Sequence, residues 1–244
     1  MRFLRLAVAA AALIATNAFA SPAEPKNGAE YTTLTAPQAT QAVGNKVEVL
    51  EFFAYHCPHC YVIESDTAAW IKKQGSNIHF RRIAYPFQGP SDPETHLFLT
   101  LEAMGKADEV SPKVFRAMHV ERQRLIKDDA ILEWVKKSSG LDNAKFLEAW
   151  NSFGVLTKLK QMPKIVNLYG INGTPTFVVD GKYVTSPSIV GAANPAIGEQ
   201  AVAVTMSTLD FLVAKAAKEK APAAPVAAPA PAAPAAKTAK TVKK

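Results

Sequence analysis

The stretch Lys46–Gln74, KVEVLEFFAYHCPHCYVIESDTAAWIKKQ, holds both cysteines of the 244-residue chain and decides its fold. Residues 46–54 form a nearly unbroken apolar run rich in β-formers, the pattern of a strand buried on both faces of a sheet. Cys57-Pro58-His59-Cys60 follows at once. The next fifteen residues carry Ile63, Trp70 and Ile71 on one helical stripe, and Gly75 stands where a helix of that length ends. A second β-rich run, Ile78–Tyr85, completes a strand, CxxC, helix, strand unit.

From Ser91 to Gly170 the punctuation becomes helical. Asp92-Pro93 opens a helix that Gly105 closes, Ser111-Pro112 opens another, Asp129 opens a third closed by Gly140, and Asp142 opens a fourth. Residues 155–169 predict a fifth, with Pro163 kinking or splitting it. Strand character returns in TFVVDGKYVT (176–185), where Asp180-Gly181 between two β-rich runs predicts a hairpin. Val202, Met206, Leu209 and Val213 mark a last amphipathic helix. The expected fold class is α/β. The expected division is a sheet domain (21–90 and 171–218) with an all-helical insert (91–170), and no internal repeat is visible.

The ends differ in kind from the middle. Arg2 and Arg5, an apolar run from Leu6 to about Ala15, and Asn17-Ala18-Phe19-Ala20 before Ser21 predict a cleaved secretory signal over residues 1–20. The run is shorter than the ~20 apolar residues of a spanning helix. An exported chain works where disulfides persist, and the bacterial style of the leader points to the periplasm. Residues 219–244 predict a low-complexity, extended Ala/Pro/Lys tail. Of the formal charge of +7, the leader carries +2 and the segment from Glu219 onward +4, which leaves +1 for the folded part. The basicity is peripheral, so nucleic acid is not an expected partner.

With 48% hydrophobic residues the chain can bury a core without covalent staples. A disulfide closing a loop of about four residues contributes roughly 2 kcal/mol before strain, little for a core of this size. A c-type haem needs histidine after the second cysteine, and Tyr61 stands there. Zinc needs four ligands, and neighbours on one turn cannot all converge on one ion. Copper held by the two thiolates alone stays open.

Redox chemistry fits the placement best. Cys57 lies at the strand-to-helix junction, where free N–H groups and the helix dipole favour an anion, and a thiolate is the species that exchanges. Pro58 presets the first helical turn, and a protonated His59 would add a cation. Cys57 is thus expected to be exposed and to exchange, and Cys60, one turn in and facing the sheet, to be sheltered and to resolve. Glu51 is an acid inside an apolar strand, costly to bury unpaired. It is read either as a charge paired with Arg81 or Arg82 or as a buried proton carrier beneath Cys60. His79, His96 and His119 read as surface or partly packed residues.

FFAYHCPHCY followed far downstream by YGINGTPTFVVDGKY resembles the DsbA branch of the thioredoxin superfamily, over roughly residues 30–215. The resemblance implies a thioredoxin fold interrupted by a helical subdomain. It implies a dithiol oxidase with no cofactor or metal beyond a redox-active Cys57–Cys60 disulfide. That disulfide would be handed to newly exported chains bearing reduced cysteines, and a quinone-linked membrane protein would restore it. By position, Cys57 is the nucleophile, Cys60 the resolving thiol, His59 the thiolate stabiliser and Glu51 the buried acid, with Glu64 at a further acidic position. Pro175 matches the family's cis-proline, whose loop pairs with the substrate backbone. Before it stands Thr174, where oxidases of this branch often carry valine and isomerases or reductases threonine. A disulfide isomerase or reductase on the same fold is therefore the alternative, although such isomerases usually dimerise through an extra N-terminal domain. Here only about 25 residues precede the first strand once the leader is removed, and a monomer is expected. A copper-binding or chaperone module is the alternative from a different class.

Overall fold

The computed structural model describes residues 24–220, so the expected signal peptide and residues 221–244 of the expected tail lie outside the described residues. The chain forms a five-stranded mixed sheet from β1 (Thr32–Thr33), β2 (Val47–Phe53), β3 (Ile78–Ala84), β4 (Thr176–Val179) and β5 (Tyr183–Thr185). Their order is β1-β5-β4-β2-β3. β2 pairs in parallel with β3 and antiparallel with β4, so it has neighbours on both sides. All seven of its residues are buried, the outcome that its apolar run predicts.

Two helical layers cover the sheet. Val47 and Val49 of β2 and Phe177 and Val179 of β4 pack under α1 (Pro58–Gln74) and α8 (Ala201–Lys220), meeting Ile63, Trp70, Leu209 and Leu212. On the other side Leu50, Phe52 and Val178 share a core with α2 (Pro93–Ala103), α3 (Ala107–His119), α4 (Asp128–Trp134), α5 (Asn143–Trp150) and α6 (Phe153–Leu168). These five helices lie between β3 and β4 in the chain. Asp210 joins α8 to α1 within the first layer, accepting from Trp70 Nε1 at 2.9 Å and Gln74 Nε2 at 2.6 Å.

Several boundaries follow from the expected residues. Asp142 caps α5, accepting from Ala144 N–H at 2.9 Å and Lys145 N–H at 3.1 Å. After α4 a π-helical turn (Val135–Ser139) ends at Gly140, whose φ is 79°. In the hairpin Lys182 N–H donates to Val179 O at 3.0 Å, and Asp180 and Gly181 both take positive φ, 53° and 63°.

Four expectations need correction. Ser111-Pro112 does not open α3, because the helix begins at Ala107 and carries Pro112 inside. Pro112 sits in the second turn, where the lost N–H sacrifices a single helical hydrogen bond. Pro163 does not divide α6, which runs from Phe153 to Leu168; the buried Leu159, Met162 and Val166 on both sides of it hold the helix to the core. The sheet also gains β1, whose pairing to β5 the N-terminal sequence did not announce. Finally, α8 continues to Lys220, two residues into the expected tail. Glu219 accepts from Tyr183 Oη at 2.6 Å, and Lys220 Nζ pairs with the buried Asp180 at 2.6 Å and donates to Lys46 O at 2.9 Å. A helix α7 (Pro187–Ala193), capped by Ser186, lies in a stretch that carried no earlier assignment.

Candidate functional site: a dithiol at the end of the central strand

β2 delivers the chain to a turn in which Cys57 N–H donates to Ala54 O at 3.2 Å, and α1 begins directly afterwards. Cys57 is the N-cap of α1, with Pro58 in the first turn and no acidic residue there. No carboxylate therefore competes with the sulfur for the positive end of the helix. Both cysteines are free thiols. Cys60 has no exposed surface, as expected, but Cys57 exposes only 7% of its own. The expectation of an openly exposed nucleophile is corrected by a neighbour far away in sequence: Cys57 Sγ lies 3.4 Å from Thr174 O, to which its thiol form can donate.

The two sulfurs are electrostatically unequal. The Cys57 thiol is lowered to about 5, foremost by the hydrogen bond from Cys60. The Thr174 side chain and the backbone N–H groups of Cys60 and His59 add to this, against the cost of burial. The Cys60 thiol is pushed far up, first by burial, then by its hydrogen bond to Cys57 and the charge there, with Glu51 adding in the same sense. The proton of the pair therefore resides on Cys60 and the negative charge on Cys57.

The Thr174–Pro175 peptide bond is cis and lies at the start of β4, beside β2. Next to it a cavity of about 560 Å³ is lined by Leu34, Ile171, Thr174, Pro175, Val184 and Ile189, among others. The sulfur lies against Thr174, and the cis-proline borders a recess of mixed polar and apolar lining at the same end of the sheet.

Glu51 is buried on β2 directly opposite Arg82 of β3. Arg82 Nε donates to Glu51 Oε2 at 2.8 Å and Arg82 Nη2 to Glu64 Oε2 at 2.8 Å. Of the two readings of Glu51, the ion pair is present, with Arg82 as the partner. Burial raises the Glu64 carboxyl above its ordinary value, with Arg82 opposing. Arg81 faces away and meets Glu48 instead, at 3.4 Å.

The DSBA-like thioredoxin domain family matches residues 93–203. The thiol:disulfide interchange protein DsbA of Burkholderia cepacia is 38% identical over 208 residues, covering 85% of this chain and 93% of that protein. The Bordetella parapertussis protein of the same name is 39% identical over 78% of this chain and 88% of its own length. Among solved structures, Pseudomonas aeruginosa DsbA aligns with a TM-score of 0.68 at 33% identity, covering 79% of this chain and 96% of that one. The Neisseria meningitidis oxidoreductase NmDsbA1 aligns with a TM-score of 0.66 at 27% identity, covering 80% and 95%. The chain belongs to the DsbA family. Its fold is the DsbA-like thioredoxin fold, which uses a redox-active disulfide rather than a cofactor, and it is a thiol–disulfide oxidoreductase of the DsbA type.

In this DsbA-family protein His79 and His119 are partly packed, as expected, whereas His96 is buried. The His59 ring is exposed, and His59 contributes to lowering the Cys57 thiol through its backbone N–H, after Cys60 and Thr174. His119 Nε2 donates to Tyr55 O at 2.7 Å, and its ring stacks on Tyr61 at 4.8 Å and 9°. His96 is buried, stacked on Trp150 with its Nε2 donating to Trp150 O at 2.9 Å. Sequence reasoning assigned no role to His56, whose Nδ1 lies 2.8 Å from Glu94 Oε1. Its one sequence signal was adjacency to Cys57; Glu94 lies 38 residues away. Tyr55 was likewise missed; its hydroxyl meets Ser111 Oγ at 2.7 Å.

Proposed function

We propose that the protein is an exported, monomeric dithiol oxidase that donates a Cys57–Cys60 disulfide to unfolded client chains with reduced cysteines. In the oxidised form a client thiolate attacks Cys57 Sγ, and the Cys57–Cys60 bond breaks with its electron pair on Cys60. Burial makes Cys60 a poor thiolate, so it takes up a proton as it leaves. A second client thiolate then attacks the client sulfur of the mixed disulfide, closing the client's disulfide and releasing Cys57 as a thiolate. Two client thiols are oxidised, and the cysteine pair gains two electrons and two protons, less the proton that Cys57 does not retain at neutral pH. A quinone-linked membrane protein would return the pair to the disulfide.

The observation that carries this reading is the inequality of the sulfurs: Cys57 is lowered to about 5 while Cys60 is pushed up. A stable Cys57 thiolate is a good leaving group in the second step and favours the reduced pair, which makes the disulfide oxidising. His59 adds positive charge near the sulfur when its exposed ring is protonated. The buried Glu51, whose charge reaches Cys60, serves as proton carrier with Arg82 holding it. Thr174 and Pro175 border the recess and offer the backbone edge on which a client strand pairs. The setting is the periplasm, reached through the signal peptide of residues 1–20. The working division is a thioredoxin-like domain (21–90 and 171–218) around the helical insert (91–170).

Refolding of a reduced, disulfide-requiring protein tests the proposal. Catalytic amounts of this protein with a regenerating oxidant should speed formation of the native disulfide. No acceleration over the oxidant alone would refute it.

A further inference from the structure

His56 stands immediately before the N-cap sulfur, and the helical layer holds it from outside the CxxC segment. Glu94, in the first turn of α2, binds it twice. Its Oε2 accepts the His56 backbone N–H at 2.9 Å, and its two oxygens lie 2.8 and 3.0 Å from His56 Nδ1. The Glu94 side chain is only 6% exposed, whereas that of His56 is 39% exposed. Phe87 meets the ring edge-on at 4.8 Å, closing a third side. His119 of α3 fixes the preceding carbonyl, that of Tyr55.

A carboxylate this deeply buried needs a compensating charge, because an unpaired one is costly. Among the described residues His56 is the ion-pair partner of Glu94. The pair therefore favours the imidazolium and fixes where that cation sits, one residue from the thiolate. We infer that Glu94 is a positioning residue for the redox reaction: acting through His56, it holds a cation beside Cys57 and makes the disulfide more oxidising. The inference rests on the oxidase reading of the same dithiol but concerns a pair outside the CxxC.

The charged groups that face the His56 ring are Glu94 and Asp92 at the start of α2 and the Cys57 sulfur on its own segment. All three raise the His56 imidazole above its ordinary value, the hydrogen bond to Glu94 most, against the effect of burial. The coupling is reciprocal: if the thiolate favours the imidazolium, the imidazolium favours the thiolate by the same free energy. Glu94→Gln leaves an amide oxygen to accept the backbone N–H but removes the counter-charge. His56 then loses its proton nearer the ordinary histidine value of about 6.5, and less of the cation remains beside Cys57 at neutral pH.

The test combines two measurements. First, the His56 ring is titrated by NMR in the reduced and disulfide forms of the full chain. Its pKa should be higher in the reduced form, where the thiolate is present. Equal values in the two forms would overturn the inference, and this readout needs no client, so it stands or falls separately from the oxidase reading. Second, the Cys57 thiol is titrated and the equilibrium with glutathione measured for wild type, Glu94→Gln, His56→Asn and the double variant. Glu94→Gln should raise the Cys57 pKa and weaken oxidation of glutathione by roughly three- to tenfold at neutral pH, a tenfold change being one pKa unit. His56→Asn should do the same, and adding Glu94→Gln to it should change little further. A full additional effect in the His56→Asn background would show Glu94 acting other than through His56 and overturn the assignment.

Discussion

Cys57 and Cys60 are the same residue type three positions apart, and their difference arises from what surrounds each sulfur. Cys57 receives a hydrogen bond from the Cys60 thiol, contact with Thr174 and backbone N–H groups at the start of α1. Cys60 lies wholly inside, within reach of the Glu51 charge. Cys60→Ala should accordingly accumulate mixed disulfides with client proteins through Cys57, and Cys57→Ala should trap almost none. Non-reducing gels of extracts from cells expressing each variant check this, and equal trapping by both would reverse the assigned roles. Glu51→Gln removes a charge that disfavours the Cys60 thiolate and also the proposed proton carrier. Attack at Cys57 should stay within about twofold, since the substitution leaves the helix start untouched. The pH profile of reoxidation, in which Cys60 must lose its proton, should shift; stopped-flow traces superimposable on wild type across pH would dismiss the proton role. The stability cost should fall below the roughly 3–5 kcal/mol of breaking a buried pair, because Glu64 still faces Arg82.

At the scale of elements, the hairpin of β4 and β5 brings local and distant demands together at one glycine. Gly181 takes positive φ, and a Cβ there would drive into the backbone carbonyl of Gln38. Gln38 N–H in turn donates to Gly181 O at 2.8 Å, so the segment before β2 is tied to the turn. Gly181→Ala should destabilise the protein by about 1–3 kcal/mol from the strained backbone alone, and by more if Gln38 cannot shift. Urea midpoints measure the loss, and an unchanged midpoint would mean that the turn relaxes freely. Asp180-Gly181 was legible in the sequence because a type I′ turn demands those residue types; the approach of Gln38 was not, since no local pattern encodes a contact across about 140 residues. The start of α3 before Pro112 and the undivided run of α6 through Pro163 have a similar origin. Pro112 and Pro163 carry an intrinsic preference against helix interiors, and burial of Val110, Val114, Leu159, Met162 and Val166 on the same helices outweighs it.

For the whole molecule the redox state should control stability through pH. The depressed Cys57 thiol stabilises the folded reduced form fully above its unfolded value, near 8.5, and that contribution is lost as pH falls through about 5. Cys60 acts with the opposite sign. Its raised thiol gives a contribution present below the unfolded value and lost as pH rises above it. The reduced form should therefore gain stability as pH rises from about 5 towards 8.5 and gain no further above that. At neutral pH it should exceed the disulfide form, the reverse of a structural staple. Chemical-denaturation midpoints of both forms across this range give the answer; a disulfide form more stable at neutral pH would contradict an oxidising role.

The sequence by itself determined the class of chemistry and the order of most elements, β1 and α7 excepted. A doubly buried strand, a CxxC at the head of a helix and a D-G turn each express a local preference, and local preferences are written in adjacent residues. Glu51 also announced itself, as an acid where only apolar residues are affordable. Tertiary structure alone decided which distant groups meet at the sulfur. Thr174 shields Cys57 from 117 positions away, Arg82 rather than Arg81 takes Glu51, and Glu94 reaches His56 across the helical layer. The physical reason is that hydrogen bonds and ion pairs act over a few ångströms of space, whereas their partners are brought together only when the sheet and its helical layers pack.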